Sequence, residues 1–366
     1  MAVEVDIKKN FGSFCLSMKF KSEDNRIGIL GASGCGKTMT LRCIAGIETP
    51  DEGRIAIGNQ VFFDSKKKIN LPARDRNIGY LFQNYALFPN MNVETNIGIG
   101  IREKGAKKQE KVRELIRRFE LHGLEKRYPS ELSGGQQQRT ALARILACDP
   151  GMILLDEPFS ALDGFLKENL QEEMQETLKD YPGNVLMVSH SRDEIYRFSK
   201  RLLIMDQGKC LMEGNTREIF KHPVKRETAR LTGCKNIASI KKTGEYEIWV
   251  LDWNLSLKTA EPVTDKHQYV GIRAHDLSES QKGEENTFLM EAAGETRAPF
   301  EKVYHLVRVE DGLEEQGNEK ENSNHPGSKL SNKLWWKIPK NIEQAEEQET
   351  FPKYMMFPKE KLLLLE

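Results

Sequence analysis

The octet Gly31-Ala32-Ser33-Gly34-Cys35-Gly36-Lys37-Thr38 has glycines, a lysine and a hydroxyl at the spacing of a phosphate cradle. Its glycines let backbone N–H groups turn inward around phosphate oxygens, and the helix that follows adds the partial positive charge of its N-terminus. Lys37 supplies a full charge to β- and γ-phosphates, and the Thr38 hydroxyl is suited to ligate Mg²⁺. Cys35, inside the loop, reads as a small tolerated side chain rather than a redox switch, since nothing else marks it as reactive. A second site of interest, Asp156-Glu157, closes the apolar run 152–155. Asp156 is the expected partner of the Mg²⁺ that Thr38 begins to hold, and Glu157 is placed to act as general base on an attacking water. A third, Leu132-Ser133-Gly134-Gly135-Gln136-Gln137-Gln138-Arg139, reads as a serine capping a helix that starts near Gln136. Its glycines expose N–H groups to another anion, so a second phosphate or a second molecule is required.

Such residues need strands that end where they begin. Runs 26–30, 152–156 and 185–189 are apolar, short and closed by a polar residue or a glycine turn, the pattern of buried strands in an α/β layer structure. Ligands of open α/β sheets sit beyond the carboxyl ends of such strands. Leu41, Ile44 and Ala45 mark a helix after the phosphate loop, and Val112, Leu115, Ile116 and Phe119 mark an amphipathic helix over 107–119. Beyond Gly233 the texture changes to alternating runs, 246–250 and 269–273, which predict a small β domain. The acidic, Gly/Asn-containing stretch 310–323 reads as a mobile loop or insertion, and 351–365 as a final strand or helix that docks back.

At 366 residues the chain predicts two domains, on the usual ~100–200 residues each. The 55 basic residues balance 55 acidic ones, which argues against a chain built to coat nucleic acid. No apolar run approaches the ~20 residues of a spanning helix. The first residues lack the basic and apolar regions of a secretory signal, which predicts a cytosolic start. Six scattered cysteines without a C-x-x-C pair predict reduced thiols rather than disulfides or a zinc site.

Together the octet 132–139, the phosphate loop and Asp156-Glu157 resemble the signature of ATP-binding cassette (ABC) ATPases, over residues 3–232. The resemblance implies an α/β fold over 1–232: a P-loop domain with a RecA-like core, a helical subdomain and an antiparallel β subdomain. A small β-rich domain, in part like the oligomer-binding fold, is expected over 233–366. It implies that ATP binds through Gly31, Ser33, Gly34, Cys35, Gly36, Lys37, Thr38 and Met39, with Thr38, Asp156 and Gln83 around Mg²⁺. Gln83 matches the family's Q-loop glutamine, Asp163 in Ser160-Ala161-Leu162-Asp163 its D-loop, and His190 its switch histidine at the γ-phosphate. Catalysis falls to Glu157, His190 and Lys37. Phe11 best matches the adenine-stacking aromatic, with Phe14 second. The family's mechanism implies a head-to-tail homodimer, each ATP sandwiched between one copy's phosphate loop and Ser133, Gly134, Gly135 and Gln136 of the other. It also implies membrane permease subunits, an extracytoplasmic solute-binding protein acting through them, and a location on the inner face of the cell membrane. The segment 84–91 resembles the surface that receives importer coupling helices. Segments 70–83 and 231–237 most resemble molybdate importer ATPases, and 270–276 resembles a strand of the oligomer-binding β domain found in many importers; sulfate, tungstate, polyamine and sugar importers are the alternatives, and a soluble non-transport ABC ATPase is the competing class.

Overall fold

The computed structural model describes residues 1–160, 164–309, 333–339 and 350–366, so Asp163 and the acidic stretch 310–323 lie outside the described residues. The chain divides into Met1–Ile219 and Phe220–Glu366.

The first unit opens with β1 (Val3–Asn10), β2 (Cys15–Ser22) and β3 (Arg26–Gly31), followed by α1 (Lys37–Ala45). Then come β4 (Glu52–Ile57), β5 (Gln60–Asp64), β6 (Ile69–Asn70) and β7 (Ile78–Leu81). A helical stretch follows: α2 (Val93–Gly98), α3 (Ala106–Arg118) and α4 (Gly134–Leu146). The unit continues with β8 (Met152–Asp156), α5 (Gly164–Lys179), β9 (Asn184–Ser189), α6 (Arg192–Phe198), β10 (Arg201–Asp206), β11 (Lys209–Asn215) and α7 (Thr216–Lys221), within which the division falls. Its described strands form one sheet in the order β6-β5-β4-β1-β2-β11-β10-β3-β9-β8-β7.

Two kinds of strand make this sheet. β10, β3, β9, β8 and β7 run parallel, and β8 and β9 are buried at every position, as parallel strands covered on both faces must be. β1 and β2 are antiparallel and alternate buried with exposed residues, so each shows one face to the core. α1 packs over β2, β3, β8 and β9, and α6 over β3 and β9. The functional consequence is positional: β3, β9, β8 and β7 are consecutive neighbours, so the loops at their carboxyl ends converge.

α3 covers the stretch expected from its spacing, burying Val112, Leu115 and Ile116, with Phe119 buried just after it. α4 begins at Gly134 rather than near Gln136. The two glycines therefore form its first turn instead of preceding it.

The second unit holds α8 (Arg226–Leu231), β12 (Asn236–Lys242), β13 (Glu247–Val250), β14 (Leu255–Lys258), β15 (Tyr269–Ile272) and β16 (Ser278–Glu279). It ends with β17 (Thr287–Arg297), β18 (Glu301–Arg308), β19 (Leu334–Pro339), β20 (Lys353–Met356) and β21 (Leu363–Leu365). Among the described residues two five-stranded sheets result, β14-β13-β12-β15-β21 and β16-β20-β17-β18-β19, around a core that includes Trp253, Trp336, Tyr304 and Phe357. The segment 351–365 thus supplies one strand to each sheet. The division lies 13 residues before the expected boundary after 232 (232 against 219). Ala229 of α8 is fully buried against Cys234 and Leu365, so residues after 219 pack with the end of the chain.

Candidate active site

β3 delivers the chain into the phosphate loop and α1 begins at Lys37. Gly34 (φ 78°) and Gly36 (φ 106°) occupy left-handed backbone, which a Cβ makes costly. At Gly36 a Cβ would also stand 2.9 Å from both the Phe14 ring and the Met205 methyl. Ala32, Ser33 and Gly34 form the exposed crest of the loop. Lys37 is buried, and its Nζ donates to the Gly31 and Ala32 carbonyls, both at 2.9 Å. The same ammonium lies 3.7 Å from Glu157 Oε1. Cys35 is buried and burial pushes its thiol up, so the nucleophilic thiolate is scarce at neutral pH.

Asp156 ends β8 with one hydroxyl donor on each carboxylate oxygen. Thr38 Oγ1 donates to its Oδ1 at 2.8 Å, and the Tyr80 phenol of β7 donates to its Oδ2 at 2.8 Å. Burial, then the Asp156 charge, raises the Tyr80 phenol well above its usual range, so it stays a donor. The hydroxyl and carboxylate oxygens of Thr38 and Asp156 suit a hard cation such as Mg²⁺. Gln83, two residues past β7, is exposed and makes no side-chain hydrogen bond among the described residues. The Thr38–Asp156 pair forms without it.

Glu157 follows at φ 45°, left-handed backbone for a residue with a side chain, a conformation that costs about 1–3 kcal/mol and must be held by its surroundings. Its N–H donates to Val188 O at 3.1 Å, and its carbonyl accepts from the N–H (3.1 Å) and hydroxyl (3.0 Å) of Ser160. The bend turns the carboxylate between two cations or potential cations: Oε1 faces Lys37, and Oε2 lies 3.1 Å from His190 Nδ1. His190 stands just past β9, between β3 and β8 in the sheet. Lys37, Glu157 and His190 are therefore brought together from three strand ends.

The octet 132–139 lies apart from this cluster, at the start of α4. Ser133 and Gln136 form a reciprocal capping box: Gln136 N donates to Ser133 Oγ (3.3 Å), and Ser133 N donates to Gln136 Oε1 (2.9 Å). Both side chains act there as acceptors, which leaves the serine O–H and the glutamine NH₂ as fixed donors for an anion from elsewhere. Phe14 touches the phosphate loop at Gly36; Phe11 is its half-buried neighbour, 6.2 Å away between ring centroids.

The turn after Gln83 is built by residues that the sequence reading overlooked. Tyr85 and Ala86 are left-handed, and Arg144 of α4 donates to both of their carbonyls (3.0 and 2.8 Å). Asn96 of α2, fully buried, donates to Phe88, Met91 and Asn92 carbonyls and accepts from Phe88 N. Neither residue was singled out by the sequence, and nor was Tyr80 as a partner of Asp156. Phe88 and Ile99 are exposed, and a groove of about 1200 Å³ runs along α2 and α3, with Met91 and Ile99 in its lining.

The ABC transporter family model matches residues 16–160. An iron(III) import ATP-binding protein of Haemophilus influenzae is 43% identical over 208 residues, covering 56% of this chain and 59% of that protein. A sulfate/thiosulfate import ATP-binding protein of Brucella melitensis is 37% identical over 258 residues, 69% of this chain and 70% of that protein. The chain thus matches only 59% of the length of the iron-import relative, and more of the sulfate one. Among solved structures, the post-hydrolysis dimer of the ATP-binding cassette MJ0796 with ADP and Pi matches at 27% identity and TM-score 0.50, over 59% of this chain and 99% of that one. With this sheet, this site and these relatives, the chain belongs to the ABC transporter family of import ATP-binding proteins.

Proposed function

We propose that this chain is the ATP-hydrolysing subunit of an importer. The observation that carries the reading is the Lys37–Glu157–His190 cluster next to the Thr38–Asp156 pair. Backbone N–H groups from Gly31, Ser33, Gly34, Cys35, Gly36, Thr38 and Met39 receive the phosphates, and Lys37 moves its ammonium onto them. Mg²⁺, held by Thr38 and Asp156 with Gln83 as a further oxygen donor, supplies charge neutralisation at the transferred phosphate. Glu157 accepts the proton of the attacking water, and His190, anchored on that carboxylate, contacts the γ-phosphate. Phe11 stacks on the adenine, with Phe14 supporting the loop. A second copy presents Ser133, Gly134, Gly135 and Gln136 to the same ATP, and Asp163 joins the two copies, so that hydrolysis removes the bridge between them.

No helix among the described residues is long and apolar enough to cross a membrane. Transport therefore falls to permease subunits docked at the surface of segment 84–91, with a solute-binding protein acting through them, and the chain sits on the inner face of the membrane. The cargo is an oxyanion. The sulfate/thiosulfate import relatives align over as much as 76% of this chain, which supports sulfate-type transport; molybdate rests on segments 70–83 and 231–237 alone. Affinity purification of the tagged chain from solubilised membranes is expected to bring down polytopic subunits together with Mg²⁺-dependent ATPase activity. Recovery on ribosomes or nucleic acid with no membrane protein would overturn the importer reading.

Tyr80→Phe provides a smaller test of the Asp156 site. Loss of one net hydrogen bond, ~0.5–1.5 kcal/mol, is expected to raise the Mg²⁺ needed for half-maximal hydrolysis about 2- to 10-fold. A magnesium titration of the ATPase rate checks it.

A further inference from the structure

We infer that Glu194 is a positioning residue for His190 and that Lys167 ties it to the helix following Asp163, an inference that rests on His190 acting at the phosphate. His190 lies between two serines. Ser189, the buried last residue of β9, accepts from Ser191 N–H at 2.9 Å and donates to Glu194 Oε2 at 2.6 Å. Its hydroxyl thus closes a bridge across the backbone of His190 and fastens that bridge to a buried carboxylate.

Glu194 departs from an ordinary helix start. Ser191 caps α6, and Glu194 three residues later would complete a capping box by reaching back to Ser191 N–H. That N–H is taken by Ser189 instead. The Glu194 carboxylate, on a residue only 4% exposed, turns to Ser189 with one oxygen and to Lys167 Nζ with the other, at 2.5 Å. A carboxylate so buried requires its partners, so the three groups hold one arrangement. Lys167 sits in the first turn of α5, four positions after Asp163. A shift of that first turn, where the second copy is expected to press, moves Lys167, Glu194, Ser189 and the His190 backbone together.

The test is steady-state ATP hydrolysis by the full chain with its membrane partners. Glu194→Ala is expected to lower kcat about tenfold, the equivalent of one charged hydrogen bond, with KM for ATP unchanged within about twofold. Glu194→Gln keeps an acceptor for Ser189 and is expected to recover much of that loss. Lys167→Met leaves the Glu194–Ser189 bond but removes the carboxylate's cation; it is also expected to lower kcat with KM unchanged, and melting curves of both variants separate this loss from a folding defect. In a His190→Ala background, Glu194→Ala and Lys167→Met are expected to cost nothing further. Losses that multiply in the double variants would overturn the positioning role. A His190→Ala enzyme with normal kcat would overturn the reading of His190 itself, a separate result.

Discussion

Glu157→Gln is expected to abolish turnover while keeping nucleotide. The amide matches the carboxylate in size, and its oxygen still reaches either Lys37 or His190, so the loop keeps its shape. What it loses is the base, and removing a positioned general base costs about 10²–10⁴ in rate. The sign on binding is the reverse. In the wild type a negative charge stands 3.7 Å from the ammonium that is to meet phosphate, competing for it and repelling the incoming anion. With that charge gone, ATP affinity holds or rises. An ATP-dependent dimer should therefore accumulate, seen by light scattering. Steady-state hydrolysis near the wild-type rate would remove Glu157 from its role.

The opposite profile is expected of Lys37→Met. Methionine retains the buried stem of Lys37 but loses its hydrogen bonds to the Gly31 and Ala32 carbonyls, so the unfolding temperature should fall by a few degrees with the fold kept. The ammonium, however, is the charge committed to the β- and γ-phosphates, and a hydrogen bond to a charged group contributes ~1.5–3 kcal/mol. ATP affinity is expected to fall about 10- to 100-fold, with hydrolysis lost. Titration with a fluorescent ATP analogue, alongside a melting curve, separates the two variants. Wild-type affinity in Lys37→Met would mean that the loop does not cradle phosphate.

How much of this was legible depended on the range of the forces involved. The strands ending at Gly31, Asp156 and Ser189 could be read because burial on both faces demands unbroken apolar runs. Glycines at left-handed positions and a capping serine likewise leave their mark within a few residues. Glu194 could not be read this way: it looks like any acid in a first helical turn, and its partner Lys167 lies on a different helix. Tyr80 needed β7 to lie beside β8 before its phenol had Asp156 to meet. The packing of Ala229 against Leu365 was illegible for the same reason, since the two lie far apart in the sequence. The start of α4 was placed two residues late, although its capping serine was read, because glycine is a poor helix former in isolation, and here Ser133 and Gln136 together outweigh it.

The backbone at Glu157 has a consequence for anyone who engineers this protein. Its left-handed conformation is one that glycine adopts freely and glutamate does not. Thermodynamic selection and catalytic selection therefore pull this codon in opposite directions. A library screened only for heat resistance should drift toward glycine there, enriching variants that melt later and turn over nothing. Stabilising campaigns should hold this position fixed and seek their gains away from the strand ends.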